Sequence, residues 1–189
     1  MNSNIFETKR LILRKFQTND MESLYKILKD EEVNIFLPWF PAQSITDAQE
    51  FYESRIQANQ YYFAICLKDN VPIGYINVED NDSYDLGYGL LKEFWHKGIM
   101  TEASNLLIEQ LGKTGIPYIT ATHDRNNLRS GGVMRQIGMK YCYSYEEQWQ
   151  PKDFLVTFRM YQLNLDGSKD RVYKKYWNNS QRHFIEADL

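Results

Sequence analysis

Leu86-Gly87-Tyr88-Gly89-Leu90-Leu91, running on through Glu93-Phe94-Trp95-His96-Lys97-Gly98-Ile99-Met100 into Thr101-Glu102-Ala103, reads as a strand, a turn through glycine and the start of an amphipathic helix. The first turn of a helix presents unpaired N–H groups and the positive end of the helix dipole, which together favour an anion. Gly98 lets a phosphate approach the backbone with no Cβ in the way, and Lys97 adds a point charge at the mouth. A glycine ahead of a helix is, taken alone, more often just a plain cap. Neither the GxxxxGK(S/T) phosphate loop nor the GxGxxG dinucleotide fingerprint is present. Gly87 and Gly89 fall inside the strand, where glycines mark a bulge or a close approach of backbone or ligand.

Upstream, apolar runs over 61–67, 71–78 and 84–91 are separated by Lys68-Asp69-Asn70 and Asp80-Asn81-Asp82-Ser83. Short polar turns between apolar runs indicate an antiparallel meander. Before it come a strand over Lys9–Phe16, a helix opened by Asn19 with Glu22, a ring-rich loop over Phe36–Pro41 broken by two prolines, and a helix opened by Thr46 with Gln49. Downstream, the helix from about Thr101 to Leu111 ends at Gly112. A strand over Ile116–Thr122, a helix over Ser130–Ile137 closed by Gly138, and a hairpin of Tyr141–Trp149 with Phe154–Leu163 complete the order. This is an α+β chain whose mixed, mostly antiparallel twisted sheet is flanked by helices. Asp166–Leu189 has no apolar period and reads as a docked helix or a loose tail.

The 189 residues suit one domain with a core of its own. A net charge of −3 argues against nucleic acid or an anionic membrane surface as partner. No apolar stretch has the length of a signal peptide or a membrane span, and Cys66 and Cys142 lie far apart in apolar runs. Free thiols in the cytoplasm are expected. A monomer or a homodimer fits equally well.

A second signature follows the first by about 25 residues. His123-Asp124-Arg125-Asn126-Asn127-Leu128-Arg129-Ser130-Gly131-Gly132 leads into Val133-Met134-Arg135-Gln136-Ile137-Gly138-Met139, a strand end, a polar turn and a helix. Asn126 or Asn127 suits the N-cap. Two glycines early in a helix cost roughly 1 kcal/mol each relative to alanine, so a close neighbour is expected at both.

In this order and spacing the segments resemble the GNAT superfamily of acetyltransferases, and within it the branch of the ribosomal-protein N-terminal acetyltransferases. That branch reads LGYWL, then WxKGx(A/M)TEA, then NxxSxxV(L/M)xx(L/I)G(F/M). Thr8–Arg14 and Leu37-Pro38-Trp39 also resemble it. The resemblance spans residues 7–163 as an N-acetyltransferase domain and leaves 164–189 as a polar C-terminal extension of unknown role.

The resemblance implies acetyl-CoA as co-substrate, no metal, and a primary amine as acceptor. The amine is either a protein N-terminal α-amine or a small molecule such as a polyamine, amino acid or amino sugar. It implies that Leu90 and Leu91 offer backbone groups to the pantetheine arm. His96, Lys97, Gly98, Ile99, Met100 and Thr101 would wrap the pyrophosphate, with Trp95 and Met100 departing from the superfamily's Q/R-x-x-G-x-G/A. Asn127 would contact the cofactor arm near the thioester, and Ser130 would either hydrogen-bond the pantetheine or protonate the departing thiolate. Glu147 and Glu146 are the candidate bases, with Asp85 and His123 as alternatives. Tyr143 or Tyr145 would face the cleft, and Trp39 with Phe40 would roof it. A non-catalytic acetyl-CoA-binding module would have lost the Gly98 turn or the Asn127–Ser130 pair, and both are present.

Overall fold

A computed structural model describes residues 5–187 of the chain. Strand β1 (Phe6–Glu7) pairs with β2 (Ile12–Arg14), and α1 (Met21–Lys29) and α2 (Glu31–Asn34) follow. After the Phe36–Pro41 loop, α3 (Ile45–Phe51) runs on as a π-helical turn over Tyr52–Ile56. The meander is β3 (Tyr62–Cys66), β4 (Pro72–Val78) and β5 (Leu86–Leu90). Next come α4 (Ile99–Leu111), β6 (Tyr118–Asp124), α5 (Leu128–Gln136), β7 (Lys140–Trp149) and β8 (Phe154–Asn164). The chain closes with α6 (Lys175–Asn179) and β9 (His183–Phe184).

The strands form two sheets rather than one: β1-β2-β3-β4-β5 and β6-β8-β7-β9. They meet at a single parallel bridge between Asp85 and Thr120, where the Thr120 N–H donates to Tyr84 O at 3.2 Å. Beyond the bridge β5 pairs with β4 and β6 with β8, so a gap opens between β5 and β6. Strand alternation sorts the side chains on either side of the first sheet. Leu11, Phe63, Ile65, Ile76, Leu86 and Leu90 pack with α4 and α5, while Tyr62, Ala64, Cys66 and Tyr75 pack with α1 and α3.

Helix starts differ from the sequence reading by one or two residues. Ser44, not Thr46, caps α3, accepting from the Asp47 N–H at 3.2 Å while Asp47 accepts from the Ser44 N–H at 3.2 Å. Ser44 is the residue with extended backbone (φ −147°, ψ 166°), the conformation from which a cap side chain can reach back. Before α1 the reciprocal partner is Asp20, not Glu22: its carboxylate accepts from the Gln17 N–H at 2.7 Å and pairs with buried Arg14 at 2.6 Å.

The C-terminal stretch is docked. Strand β9 pairs with β7, the Tyr143 hydroxyl donates to Tyr173 O at 2.7 Å, and Tyr173, Tyr176 and Trp177 fill a third apolar cluster with β7 and β8. Glu186 accepts from Arg159 at 2.6 and 3.0 Å and from the Ser144 hydroxyl at 2.6 Å, and these bonds hold its carboxyl down at about 2. Tertiary pairing thus orders a segment that lacks an apolar period of its own. Cys66 is a buried free thiol, whereas Cys142, also free, is only half-buried. Among the described residues no helix is long and apolar enough to cross a membrane.

Candidate active site

The gap between β5 and β6 opens into a cleft of about 1350 Å³, running from the Gly98 turn along β5 to Glu147 and Trp149. At the first end, His96 (φ +59°) and Gly98 (φ +70°) both take left-handed backbone and turn the chain into α4. The N–H groups of Ile99, Met100 and Thr101 have no acceptor among the described residues. A Cβ on Gly98 would meet only the Arg10 guanidinium, at 3.8 Å, so the space before these donors is open. Arg10 braces the turn by donating to Lys97 O at 3.1 Å and to Glu102 at 2.7 Å, while the Glu102 N–H donates to Gly98 O at 3.0 Å. A left-handed glycine, three free donors and a helix dipole can take a diphosphate. The Thr101 hydroxyl is spent on Gln136, at 2.8 Å. Lys97 turns its ammonium over the Phe94 ring at 5.5 Å and does not line the cleft.

Along the cleft, β5 is the edge of its sheet. The Leu91 N–H donates to Ile73 O and the Glu79 N–H to Asp85 O, each at 3.0 Å. In that antiparallel register the main-chain groups of Leu86, Tyr88 and Leu90 point away from β4, toward the gap. Leu90 O accepts the Trp95 indole N–H at 2.7 Å, leaving its N–H for a ligand. Of the two predicted backbone positions, Leu90 therefore faces the gap, and Leu91 is already paired and does not line it.

Across the gap, the Asn127 side chain caps α5, accepting from the Ser130 N–H at 3.2 Å. The Ser130 hydroxyl lies 2.8 Å from the Tyr88 hydroxyl. Sequence reading missed this pairing because it joins residues 42 apart. Gly131 has the expected close neighbour: a Cβ there would come within 2.7 Å of His123 Nε2. Gly132 does not, since nothing stands within 4 Å. His123 is buried under α5 with Nδ1 2.7 Å from Asp124 O, and burial lowers its pKa.

At the far end, alternation along β7 separates the two glutamates. Glu147 stands at the cleft mouth, where desolvation raises its pKa. Glu146 lies outside the cleft and pairs with Arg182 at 3.0 Å. Asp85 lines the cleft at the sheet junction, and burial pushes its carboxyl up to about 7 against the Thr120 hydroxyl, 3.0 Å away. Tyr145 lines the cleft and Tyr143 does not; Trp39 does, whereas Phe40 points to solvent. Two further cleft residues, Tyr62 and Tyr75, are buried with hydroxyls that find no protein partner. Their places in β3 and β4 were legible, but the meeting of the two rings, at 5.4 Å, was not. Among the described residues no three His, Cys, Asp or Glu side chains are grouped to hold a metal ion.

The acetyltransferase (GNAT) domain family model matches residues 10–140. The chain belongs to the GNAT acetyltransferase family. It is 28% identical over 153 residues to the "uncharacterized N-acetyltransferase YnaD" of Bacillus subtilis, covering 75% of this chain and 89% of that one. A GNAT-family acetyltransferase from Bacillus anthracis superposes with a TM-score of 0.76 at 22% identity, covering 86% of this chain and 99% of the other. RimL, a ribosomal L7/L12 α-N-protein acetyltransferase solved with coenzyme A, gives 0.76 at 20% identity, with 87% and 100% covered. These likenesses show the fold, two antiparallel sheets flanked by helices. The chain is thus an acetyl-CoA-dependent N-acyltransferase.

Proposed function

We propose that the chain acetylates a primary amine by direct attack on acetyl-CoA, with the diphosphate held at the Gly98 turn and the amine entering at the Glu147 end. The observation that carries this is the free edge of β5, which lies between an anion cradle and a partly desolvated carboxylate. Acetyl-CoA supplies a thioester carbon open to a nucleophile. Glu147 takes the proton from the incoming ammonium, so that the amine attacks in its neutral form. The Leu90 N–H donates to the thioester oxygen as negative charge gathers there. As the carbon–sulfur bond breaks, the Ser130 hydroxyl, hydrogen-bonded to Tyr88, gives its proton to the sulfur, and the second proton leaving the new amide nitrogen restores the hydroxyl through solvent. No covalent enzyme intermediate is required, and Cys66 and Cys142 stay reduced in the cytoplasm.

Residues 10–140 carry the cofactor half of this reading, and the C-terminal extension is a wall of the acceptor half, since Tyr176 lines the cleft and stacks on Tyr145 at 5.3 Å. The likeness to RimL supports a protein N-terminal α-amine as acceptor. The ring-lined cleft end, with Trp39 and Trp149, supports a small amine instead. Thiol release from acetyl-CoA with a panel of N-terminal peptides and small amines tests the proposal. Turnover with at least one acceptor is expected; tight cofactor binding without turnover on any would leave a binding module.

A further inference from the structure

The acceptor half of the cleft holds polar groups that the transfer reaction does not use. Tyr62 and Tyr75 are 3% and 1% exposed, and neither hydroxyl has a hydrogen-bond partner among the described residues. Buried donors without acceptors are costly and uncommon, and those in a cleft point to a ligand. Above them, the Arg55 guanidinium lies 5.3 Å from the Trp39 ring centre and 5.7 Å from that of Phe51. Trp39 is itself fixed by its indole N–H, which donates to Asn34 Oδ1 at 2.9 Å, and Asn34 is fully buried. Arg55 has no carboxylate partner among the described residues, and Tyr62, Tyr75, Trp39 and Phe51 line the cleft with it. Its charge acts on both phenols, opposing the burial that keeps them protonated and able to donate.

We infer that Arg55, Tyr62 and Tyr75 form a carboxylate subsite, so that the acceptor is an amine carrying a carboxylate close to its amino group, an amino-acid-like zwitterion. An exposed guanidinium and two phenol O–H groups make a donor set suited to a carboxylate. A second ammonium is disfavoured there, because Arg55 already occupies the faces of Trp39 and Phe51 and repels another cation. Acids line the same cleft, Glu147 on β7 across the gap and Glu79 and Asp85 at the adjoining ends of β4 and β5, and these suit the amino end. The scale follows from Tyr75: its hydroxyl lies 2.9 Å from where a Cβ of Gly89 would stand. A carboxylate bound to it is therefore a few ångströms from β5, about the span of one or two bonds between amine and carboxylate carbons. A polyamine offers this subsite nothing to bind.

The inference rests on the transfer reading above and narrows its acceptor. The test measures thiol release by the full chain on matched acceptors: amino acids, their carboxamides, and the corresponding decarboxylated amines, with spermidine alongside. At least one free amino acid is expected to exceed its amide and its decarboxylated amine tenfold or more in kcat/KM. Arg55→Gln should raise KM for that amino acid tenfold or more at similar kcat and so shrink its preference over the amide; Tyr62→Phe and Tyr75→Phe should act in the same direction. Equal or better use of amides, decarboxylated amines or spermidine would overturn the subsite while the transfer reading stands. So would an Arg55→Gln loss shared by all acceptors. No thiol release with any amine would sink the transfer reading instead. The subsite is then judged by calorimetry of the same amino acids on the coenzyme A-loaded chain, where binding no tighter than that of the amides overturns it.

Discussion

The ring of Tyr75 lies across Gly89: a Cβ built on Gly89 would stand 2.6 Å from the ring edge and 2.9 Å from its hydroxyl oxygen. The two residues face each other in the β4–β5 register. Gly87 repeats the arrangement beneath Asn77, whose Oδ1 would be 2.8 Å from the added carbon. The strand glycines thus make room for side chains of the neighbouring strand, which form one wall of the acceptor end.

Gly89→Ala should therefore destabilise the chain by about 1–3 kcal/mol, the usual cost of overpacking. The partner is a particular ring, so the cost should depend on it. In a double-mutant cycle with Tyr75→Ala, followed by urea unfolding, a coupling on the order of 1 kcal/mol is expected, the alanine being better tolerated once the ring is gone. Strict additivity would show that the strand needs Gly89 for another reason.

Glu147→Gln should lower kcat by roughly 10²-fold with little change in cofactor affinity, the usual scale for loss of a general base. The carboxyl must be ionised to act, and desolvation raises its pKa above the ordinary glutamate value. In the intact chain kcat/KM should accordingly climb with pH through an ionisation above 4.5, and that limb should vanish in the variant. Near-normal turnover would transfer the role to Asp85 or to water.

Asp85 gives a prediction about stability. Burial raises its carboxyl to about 7 in the folded chain, against 3.8 ordinarily. Between those values the folded state holds a proton that the unfolded state has released. The contribution is full below about pH 4 and is lost as pH rises through about 7. Unfolding free energy should fall across that window by at most about 4 kcal/mol, at 1.36 kcal/mol per pK unit. Asp85→Asn should flatten the profile. A profile unchanged by the substitution would place the titration elsewhere.

Gly98→Asp puts a Cβ on a residue at φ +70° and a negative charge in front of the free donors of α4. The dissociation constant for acetyl-CoA should rise at least tenfold, about 1.4 kcal/mol. Equilibrium titration checks this, and an unchanged constant would remove the turn from the cofactor site.

The elements that repeat locally were readable from sequence. The meander announced itself through polar turns, α4 through Ala103, Leu107 and Leu111, and the Gly98 turn through its place between them. What depended on distant partners was not. Whether Glu146 or Glu147 meets the cleft is a question of strand phase, and that is set by pairing with β8 and by Arg182, 36 residues on from Glu146. Splitting into two sheets hinges on one bridge between Asp85 and Thr120. The extension after Asn164 carries no apolar period because its order comes from rings meeting β7 and from Glu186 meeting Arg159. Likewise, neither Tyr88 nor Arg55 is marked by sequence spacing; each gains its meaning from what the fold sets beside it.

A crystal structure of the chain with coenzyme A bound tests the central claim most directly. The account expects the diphosphate oxygens within hydrogen-bond distance of the N–H groups of Ile99, Met100 and Thr101, with the thiol lying along β5 near the Leu90 N–H. A diphosphate bound away from the Gly98 turn, or a thiol outside the gap between β5 and β6, would contradict it.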